Sequence, residues 1–310
     1  MAKAMQQSGA GVGLIGGDNA ERIALVARME LIARRAVEGF LSGSHPSPYF
    51  GSSVEYADHR PYSHGDEIKR IDWKLAAKTD KHFVKLFEEQ TNTRGTIIVD
   101  ASRSMSFAGK KATMDKLAYA KHLAAALAYL MVRQHDAVGL AVADEQLRGF
   151  LPARATAKHF RHVLDELANA QADRATGLAE SLKALAARVP KRGIVILISD
   201  LIDDLDSIAT GLSLLRHQNH DLIVLQVADR EELEFPYEKL TRFKDIEGDS
   251  MIVASARTVR DAYLDRLRAH MDSVRRLCLE RGIAHEVIIT DKGYDTALSA
   301  YLAKRRGMTG

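Results

Sequence analysis

From residue 95 onward the chain alternates short, strongly apolar stretches with longer helical patterns, and this rhythm limits the fold more than any other feature. Strand candidates cover residues 95–100, 137–143, 193–199, 222–228 and 284–290. Their nearly continuous, β-branched apolar runs suit a sheet covered on both faces rather than one with a wet side. Helical periodicity occupies 115–133, 157–169, 178–188, 207–218, 259–281 and 295–305. The alternation predicts an α/β fold with a doubly wound, mostly parallel sheet in three layers. One excursion breaks the rhythm: residues 242–246 and 251–253 flank Glu247-Gly248-Asp249 and read as a β-hairpin.

Upstream the pattern differs. Residues 1–17 are rich in Gly, Ala and Gln without periodicity and read as a mobile tail. Asp18 and Asn19 offer an N-cap. Val26, Met29, Ala33, Val37 and Phe40 then recur at steps of three and four, with Leu25, Ile32 and Ala36 beside them. Such a face belongs to a helix that ends near 39–43 and docks on something. Residues 44–80 mix Pro, Gly, Ser, His and charges with no clean period, and 82–89 resemble an edge strand. The expected organisation is a tail over 1–17, a helix and polar segment packed on the main domain over 18–92, and the α/β domain over 93–310.

Composition narrows the function classes. Apolar residues make up 46% and charged residues 27% of 310, which is ordinary for a folded domain with an appendage. The 44 basic and 41 acidic side chains leave a net charge of +3 without single-sign blocks, so no nucleic-acid partner is implied. Arg266, Arg268, Arg275 and Arg276 are interleaved with acids and read as a solvated helix face. Gly9, Gly11 and Gly13 fall in the tail with no Walker lysine after them, which removes a nucleotide loop. Cys278 is the single cysteine, so intrachain disulfides are excluded and packing is its expected role. The longest apolar stretch, 123–132, is too short to span a bilayer, and a cytoplasmic protein without membrane insertion is expected.

The candidate site begins where the first strong strand ends, in Asp100-Ala101-Ser102-Arg103-Ser104-Met105. Ligands of open α/β sheets gather at carboxyl ends of strands. One short loop there puts a carboxylate and two hydroxyls on alternating positions. Hard oxygen donors of this kind suit Mg²⁺. Two later features have the same character: Thr176-Gly177 precedes a helical run, and Ser199-Asp200 ends another apolar strand. Helix capping by the same residues is the alternative use. The set resembles the von Willebrand factor A (VWA) family, whose Rossmann-type fold carries a metal-ion-dependent adhesion site built from Asp-x-Ser-x-Ser, a later Thr and a later Asp. The resemblance implies Asp100, Ser102, Ser104, Thr176 and Asp200 as metal ligands. It implies Mg²⁺, with Mn²⁺ or Ca²⁺ as alternatives, bound directly by hydroxyls and through water by aspartates. The sixth position is left for a carboxylate of a partner.

Ahead of this loop stands Arg60-Pro61-Tyr62-Ser63-His64-Gly65-Asp66-Glu67-Ile68-Lys69-Arg70-Ile71-Asp72-Trp73-Lys74. Arg60, Asp66, Arg70, Asp72 and Trp73 suggest a charged cluster anchored by an aromatic ring, because arginine forks onto carboxylates and stacks on indole. A buried structural cluster is the favoured reading and a partner contact the sharper one. The run resembles the hallmark of domain-of-unknown-function family fifty-eight, VWA-like proteins often encoded beside MoxR-type AAA+ ATPases. The resemblance therefore implies a non-catalytic adaptor that binds such an ATPase or its substrate through a metal ion. A metal-dependent, phosphatase-like hydrolase is the rival. Its acid–base step needs a second acid two positions after Asp100, where Ser102 stands. No Gly-x-Ser-x-Gly elbow surrounds Ser102 or Ser104, and His59, His64 and His82 have no metal-motif spacing.

Overall fold

The computed structural model describes residues 16–43, 59–62, 73–79, 83–85, 93–244 and 251–309. Within 93–309, the strands β3 (Arg94–Asp100), β4 (Ala137–Ala143), β5 (Leu147–Arg154), β6 (Gly193–Ser199), β7 (His220–Ala228) and β10 (Ala284–Ile289) form one six-stranded sheet. Its order is β10-β7-β6-β3-β4-β5, parallel throughout except for antiparallel β5. The chain leaves central β3 towards β4 on one side and later resumes at β6 on the other. The strand order thus reverses at β3, and a crevice opens beyond the carboxyl ends of β3 and β6.

Burial explains why these runs became central strands. Ile97, Ile98 and Val99 of β3, Leu140 and Ala141 of β4 and Ile196 to Ile198 of β6 are all buried. Ile98, Ala141, Val195, Leu197 and Val224 share one cluster with Leu182, Leu185, Leu212 and Leu215 of α5 (Leu178–Ala186) and α6 (Leu205–His217). Val274 and Cys278 of α8 (Ala256–Glu280) join it. Burial raises the Cys278 thiol to about 11 against an opposing pull from Arg281, in keeping with a packing role. Another layer is built on α3 (Lys116–Arg133), whose Leu123 to Ala128 are fully buried. Helices α4 (Ala157–Asn169) and α9 (Asp295–Thr309) pack beside it.

The N-terminal helix α1 (Gly16–Gly43) buries Met29, Ala33 and Val37, the centre of the face expected from its spacing, and Arg34 lies 5.6 Å above the Tyr129 ring of α3. Residues 16–40 group with the main domain, and the described residues of 41–92 form a separate small unit. In that unit β1 (His59–Pro61) pairs antiparallel with β2 (Phe83–Lys85), and α2 spans Trp73–Thr79. Of the expected strand at 82–89, the described residues 83–85 pair within their own unit, with Arg60 opposite Val84. Trp73 is 58% exposed, so the indole is not the buried anchor that the sequence suggested. Asp66, Arg70, Asp72 and residues 1–15 lie outside the described residues.

Two elements of the main domain were absent from the expectation. Strand β5 contains Pro152, which argues against a strand in a sequence; it is accommodated because β5 lies at the sheet edge and pairs with β4 alone. Short α7 (Arg230–Glu234) is too brief to show periodicity. The hairpin is present as β8 (Leu240–Lys244) and β9 (Met251–Ser255), with Arg242 opposite Val253.

At the end of the sheet remote from the crevice, buried Asp136 accepts from Tyr301 Oη at 2.6 Å, Arg305 Nε at 2.5 Å and the Thr93 amide at 3.2 Å. This carboxylate ties α9 to the start of β3 and β4. Asp136→Ala removes the acceptor of Tyr301 Oη and the carboxylate partner of Arg305 and is expected to cost about 3 kcal/mol, read as a lower urea midpoint. Mg²⁺ affinity should stay unchanged.

Candidate metal centre

At the strand-order reversal, the carboxyl ends of β3 and β6 lead into residues that the motif singled out. Asp100 is the last residue of β3 and is 1% exposed. Its Oδ1 accepts from the Ser102 amide at 2.8 Å and its Oδ2 from Ser199 Oγ at 2.6 Å. Ser199 Oγ in turn accepts from the Leu201 amide at 2.9 Å, so one hydroxyl locks the ends of β3 and β6 together. The hydroxyls of Ser102 and Ser104 lie 3.0 Å apart, both buried. A short 3₁₀ turn over Arg103–Ser106 brings Ser104 back beside Ser102.

Asp200 follows β6. Its Oδ1 accepts from the Ile202 amide at 3.2 Å, and the chain turns away through Leu201 in a left-handed conformation, φ 59°. A buried leucine with positive φ is uncommon; here the strain lies next to the site residue that the turn positions. Asp200 Oδ2 accepts from Lys116 Nζ at 2.8 Å, and the same ammonium donates to Glu232 Oε1 at 2.8 Å. Lys116 is 1% exposed and lies 5.7 Å from the centre of the Phe107 ring.

Thr176 is half-buried and enters through its loop. Ser102 bridges to Arg174 in parallel fashion, and the Arg103 amide donates to Arg174 O at 2.7 Å. Arg103 Nη2 reaches Asp173 O at 3.2 Å, and Arg148 is ion-paired to Asp173. Gly177 finishes the placement: a Cβ there would stand 2.5 Å from Glu145 Cα, so only glycine lets this loop press against the end of β4. Asp100, Ser102 and Ser104 are thus joined by direct contacts, Asp200 directly follows the Ser199 that bonds Asp100, and Thr176 stands two residues beyond the Arg174 bridge.

Electrostatics show what the arrangement lacks. Burial first, and the Asp200 carboxylate second, push Asp100 up to about 6 against the lowering hydrogen bonds from Ser199 and Ser102. Burial alone would lower the pKa of Lys116, but the charges of Asp200 and Glu232 outweigh it and hold the lysine cationic. A single ammonium therefore stands between two carboxylates while a third, Asp100, is held by neutral donors. The deficit is of positive charge, and the groups around it are hard oxygens. Those residues fit a Mg²⁺-sized cation: Ser102, Ser104 and Thr176 would hold it, with Asp100 and Asp200 behind them. Among the described residues no group of three or more His, Cys, Asp or Glu is placed to hold a metal; a hydroxyl-rich site with two carboxylates is not of that kind.

Lys116, Ser199 and Glu232 were not singled out in the sequence. Lys116 alone left a trace there: it is the first residue of a helix, where a cation opposes the helix dipole and an acid is the usual occupant.

The family model described as "Protein of unknown function DUF58" matches residues 58–273. The chain belongs to the DUF58 family. The matched DUF58 region takes in Asp100, Ser102, Ser104, Thr176 and Asp200. Two curated relatives, the uncharacterized proteins Rv1480 of Mycobacterium tuberculosis and Mb1516 of Mycobacterium bovis, are each 24% identical over 293 residues, covering 93% of this DUF58 chain and 91% of the relative. Among solved structures, the conserved hypothetical protein BatB from Bacteroides thetaiotaomicron matches with a TM-score of 0.47 and 17% identity, over 69% of this chain and 99% of that one. The VWA domain of SpRpn10 matches at 0.40 and 9%, over 67% and 94%. The six-stranded, mostly parallel sheet with flanking helices gives this DUF58 protein a doubly wound α/β fold.

Proposed function

We propose that this DUF58 protein is a non-catalytic, metal-dependent protein-binding module that uses Mg²⁺ held at Asp100, Ser102, Ser104, Thr176 and Asp200 to engage an acidic side chain of a partner. The observation that carries the reading is the buried, cation-poor convergence of Asp100, the two serine hydroxyls and Asp200 where the strand order reverses. Neutral ligands leave an ion electrophilic, so an incoming carboxylate gains a charge-assisted contact that exists only with metal. Both oxygens of Asp100 already accept hydrogen bonds, which suits a positioning carboxylate better than a nucleophile and favours binding over hydrolysis.

The partner in this reading is a MoxR-type AAA+ ATPase or its substrate, met in the cytoplasm. No helix among the described residues is long and apolar enough to cross a membrane. The test is biolayer interferometry between the purified protein and a MoxR-type ATPase encoded in the same genome. Binding is expected in Mg²⁺, with loss in EDTA and in Asp100→Ala. Binding that survives EDTA, or no binding in Mg²⁺, would overturn the assignment.

A further inference from the structure

A cleft of about 580 Å³ opens at the carboxyl ends of β7 and β10, on the same sheet edge as the metal centre. That volume is in the range of sites that hold a small ligand or a few side chains. One wall is residues 110–114, the continuation of the loop that carries Ser102 and Ser104; the opposite walls are Tyr237 and residues 290–294. The wall is preformed. Glu231 receives Tyr237 Oη at 2.8 Å and the Lys111 amide at 3.3 Å. Gly109 sits so close that a Cβ would lie 2.6 Å from Asp229 Oδ1 and 2.8 Å from Glu231 Cγ.

The lining offers aromatic surface and spare donors. Tyr119 and Tyr294 form a tilted pair with centroids 5.2 Å apart, and Lys110 Nζ stands 5.5 Å above the Tyr237 ring. The four acids are already engaged as acceptors. Asp229 takes the Glu231 amide and Thr290 Oγ1, Glu231 takes the two donors above, and Asp291 and Glu234 are both paired to Arg230. Lys111 and Lys292, exposed at the rim, form no salt bridge among the described residues, although Lys292 lies near enough to Asp291 to help hold that carboxyl below its usual range. Formal charge in the lining cancels, but its ion pairs take in Arg230 and leave Lys111 and Lys292 outside. An incoming group therefore finds π-faces and exposed ammonium donors beside carboxylates that are already hydrogen-bonded or paired.

The cleft is also linked physically to the ion site. Lys116 holds Asp200 and Glu232 at once, and the Glu232 carboxylate accepts from the amide of Asp229, which lines the cleft. The strands that carry the two sites are one to three spacings apart in the sheet order, roughly 5–14 Å. A single extended segment of about four or five residues spans that gap.

We propose that this cleft is a second docking subsite for the same protein partner, taking an aromatic side chain flanked by carboxylates while a neighbouring acid of that segment reaches the ion. The proposal rests on the metal-bridged reading above for the identity of the partner, but the cleft is read without metal. The test is calorimetry of the full chain in EDTA with the unlabelled peptide Glu-Asp-Phe-Asp-Glu and its counterpart Lys-Lys-Phe-Lys-Lys. The acidic peptide is expected to bind and the basic one to fail. The double charge reversal Lys111→Glu with Lys292→Glu, at two exposed positions, should weaken the acidic peptide about tenfold or more, and replacing its Phe by Ala should do the same. No binding in EDTA, equal binding of both peptides, or indifference to the reversal would overturn the cleft assignment. With chelator present throughout, none of these results bears on the ion itself.

Discussion

Lys116→Met is expected to lower the melting temperature of the protein in EDTA by about 10 °C. The ammonium is buried between Asp200, whose side chain is 3% exposed, and Glu232, at 16%. Methionine keeps the length of the chain but removes the charge, leaving two carboxylates facing a low-dielectric site with Asp100 behind them. Removing one partner of a buried ion pair costs about 3–5 kcal/mol because the other charge stays uncompensated, and each kcal/mol shifts a domain of this size by about 2–4 °C. The double variant Lys116→Met with Glu232→Gln should recover part of the loss, since one of the stranded charges goes with it. Saturating Mg²⁺ should recover a further part, because an ion at Ser102 and Ser104 supplies the missing positive charge. A melting temperature within 2 °C of wild type in EDTA would mean that the triad is not an energetic unit.

Much of this architecture was readable from periodicity because long, strongly patterned elements bury one face regardless of their neighbours. Strand β3, helices α4 and α5, and the face of α1 centred on Met29, Ala33 and Val37 lie close to where their spacing placed them. Elements whose stability comes from tertiary position were hidden. Strand β5 carries Pro152 and polar Arg148 and exists because β4 offers an open edge. Helix α7 spans only Arg230–Glu234 and is held by the capping box between Asp229 and Glu232.

The site divides in the same way. Asp100, Ser102 and Ser104 share one loop, so local spacing revealed them. Thr176 and Asp200 needed the resemblance to link them, since nothing local says that Arg174 bridges to Ser102 or that Ser199 reaches Asp100 on the neighbouring strand. Lys116 and Glu232 come from the first turns of helices more than a hundred residues apart, and their partnership is a property of the fold alone. Trp73 shows the reverse error: a lone tryptophan in a distinctive run looked like an anchor by composition, and it is exposed.

Asp100→Ala is expected to weaken Mg²⁺ binding about 100-fold or more while leaving the fold intact. Asp100 orients Ser102 through its amide and is fixed by Ser199, so its loss removes both a charge beside the ion and the contact that sets the angle of the serine loop. Wild type at a hundredfold excess of Mg²⁺ over its dissociation constant gains about 2.7 kcal/mol of stability by linkage, and the variant should gain almost none. Ser102→Ala and Ser104→Ala should weaken binding too, because each removes a hydroxyl oxygen that would face the ion. Asp136→Ala supplies the comparison, as it destabilises the far end of the sheet without approaching the crevice.

The direct measurement is titration calorimetry of Mg²⁺ into wild type and Asp100→Ala at pH 7.5, above the raised range of the Asp100 carboxyl. One ion per wild-type chain, with its heat absent or displaced to far weaker affinity in the variant, is the predicted result. Equal Mg²⁺ binding by the two proteins, or none by wild type, would contradict the metal centre and with it the metal-bridged function.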